Sequence, residues 1–112
     1  MEIVWYGLSC FRLNDRGRAA VVTDPYGDNV GLPSLKLRAD VVTISHDAAG
    51  HNNEQAASGR EHTLRGPGEY EIGGVFVTGI PTAKESRTTK NVLFLFDYDG
   101  VTIAHLGDMA DV

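Results

Sequence analysis

Ser45-His46-Asp47-Ala48-Ala49-Gly50-His51-Asn52-Asn53 is the stretch on which the reading of this chain turns. It follows Val41-Val42-Thr43-Ile44, an apolar run that does not alternate and so predicts a strand buried on both faces, Val41 to Ser45. Two histidines five residues apart on a loop leaving a strand are spaced as in a metal-binding loop. Two intervening positions that could hold further ligands are Ala48 and Gly50.

Outward from this loop the chain reads as short strands divided by turn signals. Glu2 to Tyr6, Cys10 to Leu13 and Ala19 to Thr23 are the first three, with a hairpin turn at Asn14-Asp15-Arg16-Gly17. Asp24-Pro25 breaks the third, because proline lacks a donor and restricts its predecessor. Residues 26 to 40 read as a loop, with Gly27, Gly31 and Pro33 opposing regular structure. Asn53 to Ala57 predicts a short helix capped by Asn52 or Asn53 and ended by Gly59. Thr63 to Arg65 reads as a short strand. Gly73-Gly74 joins Glu69–Ile72 to Val75–Thr78, and Asp99-Gly100 joins Asn91–Tyr98 to Val101–Leu106, both strong two-residue hairpin signals. Pro81 to Lys90 is polar and reads as a loop.

Size and composition narrow the function. A chain of 112 residues suffices for one domain with one core. A net charge of −5 without a Lys/Arg cluster argues against a nucleic-acid partner, which needs basic residues to displace counterions. No apolar run is long enough to span a bilayer, and the N-terminus lacks the pattern of a signal peptide, so the chain reads as cytoplasmic, with no membrane partner. Cys10 has no second cysteine to pair with and lies in the apolar run Leu8-Ser9-Cys10-Phe11, which predicts a buried, inert thiol.

His46, His51 and Asp108 are the candidate metal ligands, the last at the end of the strand Val101 to Leu106. Parallel neighbouring strands would bring all three to one sheet edge, where open sheets place their sites. By spacing alone the plainer reading is two loop histidines with Asp108 capping a helix at a turn. His62 reads as an exposed loop histidine. His105 reads as a packed strand histidine, with an accessory ligand as the alternative. Gly66-Pro67-Gly68 beside Tyr70 needs no more than a tight turn.

Four segments carry a resemblance. Trp5-Tyr6-Gly7-Leu8-Ser9-Cys10-Phe11 resembles the W-L-G-H-S-C-F opening of metallo-β-lactamase-fold hydrolases of the L-ascorbate-6-phosphate lactonase-like group. Thr23-Asp24-Pro25-Tyr26 is similar to their T-D-P segment. Ser45 to His51 sits where they carry H-x-H-x-D-H, and His105-Leu106-Gly107-Asp108 resembles their G-D strand end. The resemblance spans residues 1–112, a single domain that matches about the N-terminal half of the usual family domain. It implies an α+β fold: the strand-rich half of an αββα sandwich of two sheets with helices outside, built mostly of antiparallel hairpins with few helices. It implies a metal pair at the sheet edge, with zinc, iron and manganese all suited to His and Asp donors. It implies hydrolysis of an ester, lactone or phosphoester by a metal-bound hydroxide. His46 then matches the first ligand of the loop, His51 the last, Asp108 the bridging carboxylate, and Asp24 an outer carboxylate that orients a metal-bound histidine.

The departures fall on ligand positions. Ala48 stands for the second loop histidine, Gly50 for the loop aspartate, Lys84 for a more distant histidine and Leu8 for the histidine of the opening motif. The family's final histidine would lie beyond Val112. A catalytic zinc keeps three protein ligands and an open position. By the family's arrangement one position retains His46 and a share of Asp108, and the other retains His51 and Asp108. Lys84 would repel a divalent cation and could pair with Asp108 instead. These losses predict a hydrolase-like protein, weak or inactive as it stands, that holds zinc (with iron or manganese as alternatives) or is metal-free. The alternative is a non-catalytic binding or assembly module on the same fold. An uncovered sheet face after Asp108 predicts a homodimer, or a complementary half-domain as partner.

Overall fold

The computed structural model describes residues 1–27, 31–46, 50, 52–82 and 91–107. They form two packed sheets and a small outer ribbon. The first sheet has the order β1-β2-β3-β5-β7, from β1 (Glu2–Gly7), β2 (Cys10–Asn14), β3 (Val21–Thr23), β5 (Val41–Thr43) and β7 (His62–Leu64). β1, β2 and β3 run antiparallel, whereas β3, β5 and β7 run parallel. The second sheet has the order β11-β10-β9-β8 and is antiparallel throughout, from β8 (Gly68–Ile72), β9 (Val75–Pro81), β10 (Val92–Tyr98) and β11 (Val101–His105). The ribbon pairs β4 (Leu37–Arg38) with β6 (Ala57–Ser58), one from each crossover of the parallel strands.

The alternation of β10 explains the sandwich. Val92, Phe94, Phe96 and Tyr98 are buried while Leu93, Leu95 and Asp97 are only partly so. The buried set meets Leu13, Val21, Val41 and Leu64 of the first sheet, forming the inter-sheet core with Val75 and Val77. Each such aliphatic or aromatic side chain contributes about 1.5–3 kcal/mol by leaving water. Tyr98 crosses the sandwich and donates its hydroxyl to the carbonyl of Ala19 at 3.0 Å.

β3 and β5 are buried on both faces, as their unbroken apolar runs predict. Val22 and Val42 face the outer layer, where they pack with Cys10, Tyr26, Ile44, Leu37 and Ala57. Both predicted two-residue hairpins are present. Gly73 and Gly74 have φ of 55° and 81°, and Asp99 and Gly100 have 54° and 89°, the left-handed pairs that match the twist of flanking strands.

Three expectations need correction. The helix over Asn53 to Ala57 is a 3-10 turn, Glu54–Ala56, because Ala57 leaves it to pair with Leu37. Asn53 takes the cap position without a side-chain cap bond; its amide donates to the carbonyl of Tyr26 at 3.2 Å. The loop 26 to 40 contains the short strand β4. The residues 83–90 of the predicted loop Pro81 to Lys90 lie outside the described residues.

Candidate functional site

Parallel strands β3 and β5 end side by side, in register at Thr23 and Thr43. The residues that follow them, Asp24 and Ser45-His46, therefore meet at one edge of the first sheet. Asp24 has a left-handed backbone, φ 40°, just before Pro25. Such a conformation costs on the order of 1–3 kcal/mol unless its surroundings enforce it, though Asp tolerates it better than most residues. Here Asp24 is fully buried, its backbone nitrogen donates to the carbonyl of Thr43 at 2.8 Å, and its carboxylate turns to Ser45.

Oδ1 of Asp24 accepts the Ser45 backbone N–H at 2.7 Å, and Oδ2 accepts the Ser45 hydroxyl at 2.5 Å. The same hydroxyl oxygen lies 2.9 Å from Nδ1 of His46, which is itself buried. These contacts run in one line from the end of β3 to the first histidine of the loop.

Two more elements close on Ser45. Its carbonyl accepts from the backbone nitrogen of Val92 at 2.8 Å, joining β5 to the start of β10. The buried Asn91 donates its amide to Thr82 Oγ1 at 2.7 Å and to the carbonyl of Leu106 at 3.1 Å, tying together the ends of β9, β10 and β11. Gly107 has φ 65° and fits against this junction: a Cβ there would lie 2.5 Å from both Ser45 Cβ and Asn91 Oδ1. Only glycine meets both demands without displacement. The chain position that precedes Asp108 is thus seated on Ser45, although β11 belongs to the second, antiparallel sheet and is not a parallel neighbour of β5 as expected.

Of the sequence-derived ligands, His46 and the outer carboxylate Asp24 are described and are brought together through Ser45. His51 and Asp108 lie outside the described residues, as do Ala48 and Lys84. Among the described residues no group of three His, Cys, Asp or Glu side chains could hold a metal. Sequence reasoning assigned no part to Ser45, Asn91 or Gly107. A serine directly before the first loop histidine, and a lone amide opening the apolar run of β10, were the available signals.

His105 is buried edge-on to Phe11, and its Nε2 donates to the carbonyl of Ser9 at 2.9 Å, which commits that nitrogen to packing the Leu8-Ser9 turn. Its Nδ1 is buried with no hydrogen-bond partner among the described residues. His62 is exposed, on strand β7 rather than in a loop. Tyr70 donates to the carbonyl of Gly66 at 3.2 Å, closing a tight turn. Cys10 is fully buried, and burial, reinforced by the nearby Asp24 charge, pushes its thiol from 9.0 up to about 12. The thiol is therefore inert at neutral pH, as expected. A cleft of about 110 Å³ between the sheets is lined mainly by apolar side chains, among them Ile3, Phe11, Phe96 and Ile103, and offers no ligand set.

Residues 2–112 match the β-lactamase superfamily domain. The chain belongs to that family. Its structure superposes on a protein from Thermotoga maritima assigned as a Zn-dependent hydrolase of the metallo-β-lactamase superfamily, with a TM-score of 0.74 and 34% identity over 95% of this chain and 48% of that one. Two more distant structures share the fold. One is from Parabacteroides distasonis, assigned as a metal-dependent hydrolase, with a TM-score of 0.75 and 14% identity over 98% of this chain and 61% of that one. The other is CmlA, a diiron β-hydroxylase from Streptomyces venezuelae, with a TM-score of 0.70 and 13% identity over 96% of this chain and 29% of that one. The chain thus spans about half the length of the Thermotoga protein. No curated protein matches it. The strand-rich, nearly helix-free architecture is part of the metallo-β-lactamase fold, as the four motifs implied.

Proposed function

We propose that this chain is a metal-dependent hydrolase-like protein whose metal donors within these 112 residues are His46, His51 and Asp108. The observation that carries this reading is the intact chain of contacts from Asp24 through Ser45 to His46, the arrangement that orients a metal-bound imidazole. The donor set suits one ion and not two. Divided as the family divides them, His46 with a share of Asp108 and His51 with Asp108, the donors leave neither position with the three protein ligands of a catalytic metal; only pooled around one ion do they reach three, and Ala48, Gly50 and Lys84 supply no further metal donor. Zinc is the metal expected, with iron and manganese chemically acceptable to the same donors. When bound, it would supply a Lewis acid toward an ester, lactone or phosphoester. The protein's own part is to hold His46 through Asp24 and Ser45 and to seat the chain before Asp108 by the fit of Gly107 against Ser45. Activity is weak or absent in this chain as it stands. Incubation with an activated ester, a lactone and a phosphodiester in the presence of zinc should give at most slow turnover that His46→Ala abolishes; turnover unaffected by that change would refute the reading.

The losses at Ala48, Gly50 and Lys84 favour a second reading, a binding or assembly module on the same fold. The outer face of the second sheet supports assembly. Phe76 and Ile80 are exposed there, beside Leu93 and Leu95, and the apolar stripe has no covering layer among the described residues. A second copy or a complementary half-domain would cover it, and a strictly monomeric species by light scattering would count against the homodimer. No helix among the described residues is long and apolar enough to cross a membrane. The lone buried thiol accords with the proposed cytoplasmic location.

A further inference from the structure

We infer that the Asp24–Ser45 pair fixes which nitrogen of His46 carries a hydrogen, making Ser45 a positioning residue. A serine hydroxyl has one hydrogen, and a carboxylate only accepts. The Ser45 hydroxyl gives its hydrogen to Asp24 Oδ2, at 2.5 Å, and so has only lone pairs to offer His46. The 2.9 Å contact then requires Nδ1 of His46 to be the donor. In the neutral ring this leaves the lone pair on Nε2, the form a metal ligand needs. The significance for metal binding rests on the proposed role of His46; the tautomer itself does not.

The polarity of the chain is set at Asp24, and this makes it reversible. Oδ1 is held by the Ser45 backbone N–H, which needs an acceptor. In Asp24→Asn the amide oxygen must keep that place, so the amide nitrogen faces the Ser45 hydroxyl and donates to it. The hydroxyl hydrogen then turns to Nδ1 of His46, and the ring hydrogen moves to Nε2. A bond network that merely filled space would not invert.

Nitrogen-15 spectra of the metal-free protein, recorded where the imidazole is neutral, test this. The expected wild-type pattern is a pyrrole-type Nδ1 and a pyridine-type Nε2 for His46. Asp24→Asn should interchange them, Ser45→Thr should keep the wild-type pattern, and Ser45→Ala should lose it. In the Ser45→Ala background, Asp24→Asn should change nothing further. Zinc affinity should fall about 10–100-fold in Asp24→Asn. A failure of zinc binding in every variant would count against the proposed function while leaving the spectra to decide the tautomer. A wild-type His46 with its hydrogen on Nε2 alone overturns the inference without any variant, as does a folded Asp24→Asn protein with an unchanged pattern.

Discussion

Asp24 and Ser45 are joined by two hydrogen bonds, one from the Ser45 backbone nitrogen at 2.7 Å and one from its hydroxyl at 2.5 Å, with Asp24 fully shielded from solvent. The pair couples the ends of the parallel strands β3 and β5 and sets the orientation of the first loop histidine. Removing the carboxylate leaves the buried Ser45 N–H without its acceptor and takes from the Ser45 hydroxyl its charged one, a loss of about 1–3 kcal/mol for each. Asp24→Ala should therefore lose roughly 3 kcal/mol of stability in urea unfolding. A loss within error of zero would show that the pair does not hold the strand ends.

Gly107 tests the junction from the other side. Its Cβ position is occupied by Ser45 and Asn91 atoms at 2.5 Å, and its φ is 65°. Gly107→Ala combines overpacking with left-handed strain and should cost about 2–4 kcal/mol. Thermal unfolding reads this directly, and an unchanged midpoint would mean that the second sheet does not close on Ser45.

The alkaline limb of stability follows from two buried acids. Cys10 is raised by burial, then by the Asp24 charge, from 9.0 to about 12, and Tyr98 is raised chiefly by burial. Both groups ionise more readily in the unfolded chain. Their contribution is fully present below the unfolded value and is lost as pH rises through the folded one. Stability attributable to Cys10 should thus decline between about 9 and about 12. Cys10→Ala should flatten that decline while lowering stability at neutral pH by opening a small cavity. Urea titrations across the alkaline range compare the slopes; equal slopes would sink this assignment.

Much of the fold is legible in the residues themselves. The left-handed pairs at Gly73-Gly74 and Asp99-Gly100 leave a two-residue hairpin as the natural solution, and the unbroken Val41-Val42 run demands cover on both faces. The short helix is not legible as the 3-10 turn it is, because local signals at Asn53 and Gly59 cannot reveal that Ala57 pairs with Leu37 across twenty residues. The site is half legible. His46 and Asp24 stand out as residue types that bind or orient metals, whereas Ser45, Asn91 and Gly107 act through contacts between distant strands. No spacing pattern encodes the approach of residue 107 to residue 45.

The central proposal is that these residues hold at most one metal ion, through a His46 oriented by Asp24 and Ser45, and not a pair. Metal content after dialysis of zinc-loaded protein tests it most directly, with His46→Ala alongside. The expected result is at most one zinc per chain, weakly held and lost in the variant. Two zinc ions retained per chain, or none bound at any zinc concentration that leaves the protein folded, would contradict the account.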